Sequence, residues 1–183
     1  MNIPLFAAPF WFLRHGETEA NAANLIAGAT DSPLTALGRE QARAAAERLA
    51  AWPLTAIYSS PLSRARETAE AVSRKLRCPV SVLKGLAERH WGDWEGQPRS
   101  ILVREAEPPG GGEGPDVFRA RVLEALATVP AGGLPLVVAH SGVARVLREQ
   151  LLGADVATPL ENGRPVRFQP QGKGWRMDFG GLI

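Results

Sequence analysis

Three short segments of this 183-residue chain carry side chains suited to anionic chemistry. Arg14-His15-Gly16 follows an apolar stretch, Arg64 follows Ser59-Ser60-Pro61, and His140-Ser141-Gly142 follows a second apolar run. An arginine is a permanent cation whose forked donors match phosphate oxygens. A neutral imidazole is a nucleophile or a general base. Two guanidiniums and two imidazoles facing one another repel unless an anion lies between them. A phosphoryl group supplies that charge.

These residues lie far apart in sequence, so the elements between them must gather them. Phe10 to Leu13 reads as a first strand and Leu37 to Ala51 as an amphipathic helix, with Leu37, Gln41, Ala44, Ala45, Arg48 and Leu49 at helical spacing. A polar loop, residues 21–35, joins them. Thr55 to Tyr58 is a short strand, and Ser59-Ser60-Pro61 reads as a helix start with a capping serine and a first-turn proline. That helix runs through Arg64 and Thr68 to about Leu76, and its N-terminal amides favour an anion. Val80 to Leu83 is a third strand. Val117 to Ala127 and Val143 to Leu152 read as helices flanking a fully apolar strand, Leu134 to Ala139, expected at the sheet centre. Val166 to Phe168 and Trp175 to Phe179 read as a final strand pair, formed within the chain or across a homodimer. Alternating strands and helices imply an α/β fold of three layers, α/β/α, with a mostly parallel central sheet. Parallel strands bind ligands beyond their carboxyl ends, which places Arg14, His15, Arg64 and His140 around one pocket.

Composition narrows the class. Hydrophobic residues make up 45% and charged residues 22%, ordinary for a globular domain. The net charge is +2 with no cationic run, which argues against a nucleic-acid partner. Cys78 is the single cysteine, so no internal disulfide forms, and a cytoplasmic setting is expected with Cys78 as a plain buried thiol. Three histidines leave little material for a zinc site. No apolar stretch is long enough to span a membrane. One domain over residues 1–183 is expected, with a short cap at about 88–116 that holds Trp91, Trp94 and the Pro108 to Gly112 turn. That turn lacks the lysine and hydroxyl residue of a P-loop and reads as a flexible surface turn.

Four segments in order resemble the histidine phosphatase superfamily, in its phosphoglycerate mutase-like branch. They are Arg14-His15-Gly16-Glu17-Thr18 with Asn21, Gly28 and Asp31 to Gly38; Ser59 to Thr68; Leu86-Ala87-Glu88 with Gly92 to Gly96; and Val137 to Gly142. The resemblance implies a phosphoglycerate mutase-like fold and a phosphomonoester hydrolase acting on a small phosphorylated metabolite, with neither metal nor cofactor. It assigns His15 as the phosphoryl-accepting nucleophile, Arg14, Arg64 and His140 as holders of the phosphoryl oxygens, and Glu88 as acid and then base. Asn21, Gly28, Ser141 and Trp91 complete the expected substrate-contacting set. Ser141 stands where glycine is commoner, and its role stays open, as does that of Arg99. His90 and Trp91 are placed near the substrate, although Trp91 and Trp94 are equally suited to packing. Mutases resembling these motifs carry a longer insertion before the last histidine and a consecutive arginine pair absent here. That favours hydrolysis, with a cofactor-dependent mutase or a non-catalytic phospho-ligand binding module as alternatives.

Overall fold

Apolar side chains pointing alternately to opposite faces give the sheet two hydrophobic sides, and a pair of helices covers each. The computed structural model describes residues 3–153 and 160–179. Six strands, β1 (Phe10–Arg14), β2 (Ala56–Ser59), β3 (Val80–Val82), β4 (Pro135–Ala139), β5 (Pro165–Gln171) and β6 (Gly174–Asp178), form one sheet in the order β3-β2-β4-β1-β5-β6. The first four in that order run parallel, while β5 is antiparallel to β1 and β6 antiparallel to β5. The helices are α1 (Glu19–Ala22), α2 (Ala36–Leu49), α3 (Ser63–Leu76), α4 (Pro115–Ala127) and α5 (Ser141–Leu152).

The period-two alternation of a strand splits β1 cleanly. Phe10 and Phe12 join Val137 and Ala139 of β4 in a core with Phe118, Val122 and Leu126 of α4 and Val143 and Leu147 of α5. Trp11 and Leu13 join Leu136 and Val138 against Ala45 and Leu49 of α2 and Ala65, Ala69 and Val72 of α3. Small residues on α2 and α3 let those helices approach the sheet closely. Each large side chain buried this way contributes about 1.5–3 kcal/mol. The three layers expected from the sequence are therefore present, and β4 lies in the sheet interior between β2 and β1.

Most element bounds fall within two residues of the sequence expectation, and three local readings change. A short helix, α1, runs into the start of the stretch read as a plain loop, held by a capping box between Thr18 and Asn21. The start of α3 is not capped by a serine: Leu62 is its N-cap, with no side-chain bond, and Pro61 precedes it. Asp31 takes one free amide instead, accepting from Ser63 N at 2.9 Å and from Ser63 Oγ at 2.9 Å. The expected anion-binding role of that helix end is thus filled by a carboxylate of the chain itself. The last two strands pair with each other inside the chain. Cys78 is buried, and its Sγ lies 3.0 Å from the Leu54 carbonyl oxygen. Among the described residues no helix is long and apolar enough to cross a membrane.

Between Glu88 and Gly114 the chain forms two 3-10 turns, Gly92–Trp94 and Arg99–Ile101, rather than regular helix or strand. It is tied to the loop after α1 by Ile26 N to Gln97 O (2.9 Å), Gly96 N to Ile26 O (2.8 Å) and Arg99 N to Asn24 O (3.0 Å). Pro109 O and His90 O accept from Asp93 N and Glu113 N, so the glycine turn is hydrogen-bonded back onto the cap.

Candidate active site

The adjacent ends of β1 and β4 set the site. His15 N donates to Ala139 O at 3.1 Å and Ser60 N to Val138 O at 3.0 Å, carrying the ladder one residue past each strand. The three segments singled out by residue type therefore leave the sheet side by side. A cleft of about 60 Å³ opens there, lined by Arg14, His15, Asn21, Gly28, Arg64, Glu88, Trp91, Arg99 and Ser141, with Leu25, Ile26, Ala27 and Leu102 as its apolar wall. A larger groove of about 450 Å³ between α2 and residues 161–165 contains none of the predicted site residues.

His15 is 4% exposed. Its Nδ1 lies 2.7 Å from Gly16 O, an atom that can only accept, so the ring proton sits on Nδ1 and Nε2 keeps its lone pair. Burial, then the charges of Arg64 and Arg14, hold the imidazole well below its usual pKa of 6.5. It is neutral at physiological pH. A side chain on Gly16 would collide with the Gly38 backbone, so the turn after His15 packs directly on the start of α2. Thr68 Oγ1 accepts from Gly16 N at 3.1 Å, and Asn162 Nδ2 donates to His15 O at 2.9 Å.

Both guanidiniums are buried and hydrogen-bonded to backbone carbonyls. Arg14, 8% exposed, donates from NH1 to Leu160 O at 2.8 Å. Burial first and the nearby Arg99 second lower its pKa to about 10, leaving it charged. Arg64, 2% exposed, donates to Thr30 O at 2.9 Å and Gly28 O at 2.6 Å, with Asp31 3.7 Å away. Burial lowers its pKa, opposed by Glu88, Asp31 and Glu95. The carbonyls that hold Arg64 belong to a loop shaped by Glu95. That carboxylate accepts from Ala29 N (2.8 Å), Thr30 N (2.9 Å), Thr30 Oγ1 and Trp91 N (2.9 Å). Gly28 has φ +57°, and a Cβ there would overlap the Glu95 carboxylate, so only glycine fits.

Glu88 is half-buried, its two oxygens fixed by Arg89 N and Gly142 N, each at 2.9 Å. Gly142 leaves room for this: a Cβ would run into Glu88 Oε1 and the Phe118 ring. Asn21 Oδ1 accepts from Thr18 N and Asn162 Nδ2, which leaves its own amide donors for the cleft. Trp91 is buried and stacks on Trp94 at 6.1 Å, and it also lines the cleft. His90 is exposed and does not line the cleft. His140 is fully buried beside His15, ring centroids 5.1 Å apart, behind the lining residues. Burial and the charges of Arg64 hold it, too, well below 6.5. Among the described residues no group of three or more His, Cys, Asp or Glu is arranged to hold a metal.

Sequence reasoning missed Glu95, Thr68, Asn162 and Ser60. Glu95 and Thr68 sat inside motifs already quoted but carried no chemistry of their own. Asn162 lies in a segment with no signal.

A neutral histidine with one open nitrogen, two anchored guanidiniums and a carboxylate on the same wall is equipped for phosphoryl transfer on an α/β/α scaffold. The chain belongs to the histidine phosphatase superfamily (branch 1), which it matches over residues 10–179. It is 36% identical to a protein of Photorhabdus laumondii that bears a phosphoglycerate mutase name, GpmB, over 87% of this chain and 80% of that one. It is 35% identical to the adenosylcobalamin/alpha-ribazole phosphatase of Salmonella typhimurium, covering 81% of each. The mycobacterial glucosyl-3-phosphoglycerate phosphatase solved with VO3 superposes with a TM-score of 0.77 at 30% identity, covering 93% of this chain and 97% of that one. Family and phosphatase-named relatives agree with the hydrolase expected from the motifs.

Proposed function

We propose that this chain hydrolyses small phosphomonoesters in two displacements at His15. The lone pair of Nε2 attacks phosphorus, the P–N bond forms, and the P–O bond to the leaving alcohol breaks. Glu88 gives its proton to the departing oxygen, then accepts one from water as the water oxygen attacks phosphorus and the P–N bond breaks. Arg14 and Arg64 hold the phosphoryl oxygens where charge concentrates, joined by the Asn21 amide. Their anchoring to backbone carbonyls means little reorganisation is needed as the reaction proceeds. Gly28 shapes the Arg64 side of the cleft, while Ser141 and Trp91 form its rim. The observation that carries this reading is the Nδ1 bond of His15 to Gly16 O, which leaves the Nε2 lone pair free on a ring that feels the charges of Arg64 and Arg14.

The cleft is small and charged, which suits a compact phosphate ester and not a polymer. The lone cysteine, without a disulfide, favours a cytosolic setting. Incubation with p-nitrophenyl phosphate should release phosphate and yield an acid-labile phosphoryl label on the wild type but not on His15→Ala. Neither release nor label in the wild type sinks the enzyme reading. Glu88→Gln should slow alkyl phosphates far more than p-nitrophenyl phosphate, and equal losses would remove Glu88 as the acid. A panel that includes phosphoglycerates and ribazole phosphate separates hydrolysis from mutase transfer.

A further inference from the structure

One contact beneath the cleft has no part in this scheme. Ser60, fully buried, places its Oγ 2.6 Å from His140 Nε2, and the same oxygen accepts from Leu62 N at 3.2 Å. The other ring nitrogen, His140 Nδ1, is buried without a hydrogen-bond partner. A hydroxyl has one proton and two acceptor lone pairs. The Leu62 amide can only donate, so it occupies a lone pair. Among the described residues the hydroxyl proton has one recorded acceptor, the Nε2 lone pair of His140. An imidazole that accepts at Nε2 must carry its own proton on Nδ1.

We infer that Ser60 is a positioning residue that holds His140 in the Nδ1–H tautomer, keeping a vacant neutral donor beside His15 for a phosphoryl oxygen. A buried donor left unpaired costs about 1–3 kcal/mol, and such an atom in a native fold calls for a partner supplied from elsewhere. His140 lies beside the ring that accepts the phosphoryl group, and Arg14 Nε is a second buried atom of the site without a partner. Burial, with the charges of Arg64 and Arg14, keeps the His140 ring neutral, so it has a single proton to place. One serine of the predicted helix start thus reaches a histidine eighty residues away. The phosphoryl half of this inference rests on the hydrolase reading; the tautomer does not.

The test is long-range ¹H–¹⁵N spectroscopy of the three histidine rings in wild type, Ser60→Ala and Ser60→Thr, with signals assigned by His90→Gln and His15→Gln. In the wild type His140 should show a protonated Nδ1 and an acceptor Nε2. Ser60→Ala should shift it toward Nε2–H and lower kcat by about a hundredfold, the loss expected for one transition-state donor, with KM changed far less. Ser60→Thr, which keeps the hydroxyl, should restore both. Orthovanadate at inhibitory concentration should move the Nδ1–H signal in the wild type. An Nε2–H ring in the wild type, or an unchanged tautomer in Ser60→Ala, overturns the assignment. An Nδ1–H signal indifferent to vanadate overturns the phosphoryl role alone. If Ser60→Ala does not fold, the wild-type spectrum still decides the tautomer. An Nδ1–H ring in a protein inactive on every ester refutes the hydrolase reading and leaves the tautomer standing.

Discussion

Replacing Glu95 by glutamine removes one charge and half of an acceptor set while keeping the shape of the side chain. Four donors converge on this carboxylate: Ala29 N and Trp91 N on Oε1, Thr30 N and Thr30 Oγ1 on Oε2. Whichever oxygen becomes an amide nitrogen, at least one backbone N–H then faces another donor. The less costly orientation turns the amide toward Thr30, whose hydroxyl can rotate to accept while its N–H cannot. A hydrogen bond to a charged group is worth about 1.5–3 kcal/mol, and the Thr30 amide, at an exposed residue, can turn to water once it loses its acceptor. A loss of about 1.5–3 kcal/mol follows, and in a chain of this size each kcal/mol lowers Tm by about 2–4 °C. The consequence for activity comes through Arg64, because Gly28 O and Thr30 O are the acceptors that aim its guanidinium. A displacement of the order of 1 Å at a positioning group costs about a hundredfold in rate. Calorimetric Tm should therefore fall, and kcat/KM for p-nitrophenyl phosphate should fall by one to two orders of magnitude. A variant with unchanged Tm and full activity refutes the chain of cause from Glu95 to Arg64.

Gly142→Ala should push Glu88 off its two amides; kcat/KM for alkyl phosphates should drop by about a hundredfold with a much smaller effect on p-nitrophenyl phosphate, and a uniform loss would contradict this. Acid should destabilise the fold through its buried histidines. His15 and His140 have folded pKa values depressed below the unfolded 6.5, so below about pH 6.5 the unfolded chain binds more protons and stability falls as pH drops toward the folded values. Each neutral ring contributes about 1.4 kcal/mol per pH unit in that window. Denaturant midpoints at pH 7.5 and 5.5 should show the loss, and a variant carrying His15→Gln should show less of it.

The amino-acid sequence by itself determined the class of fold and the main chemical groups. Apolar runs such as Leu134 to Ala139 report a strand in the sheet interior, and the spacing from Leu37 to Leu49 reports a helix with one face on the core, because these patterns are local consequences of strand and helix periodicity. Arg14, His15, Arg64 and His140 were legible because their residue types and their places after apolar strands are local too. What each side chain touches was decided only in the tertiary structure. Asp31 took the Ser63 amide at the helix end that the sequence offered to an anion, and Ser60 reached His140 as well as the Leu62 amide. Glu95, Thr68 and Asn162 gained their roles from contacts with segments distant in the chain. Hydrogen-bond partners compete across the whole fold, and a sequence window holds only the nearest competitors. The tautomers of His15 and His140, on which the chemistry turns, were settled by a carbonyl and a hydroxyl whose positions belong to the folded chain.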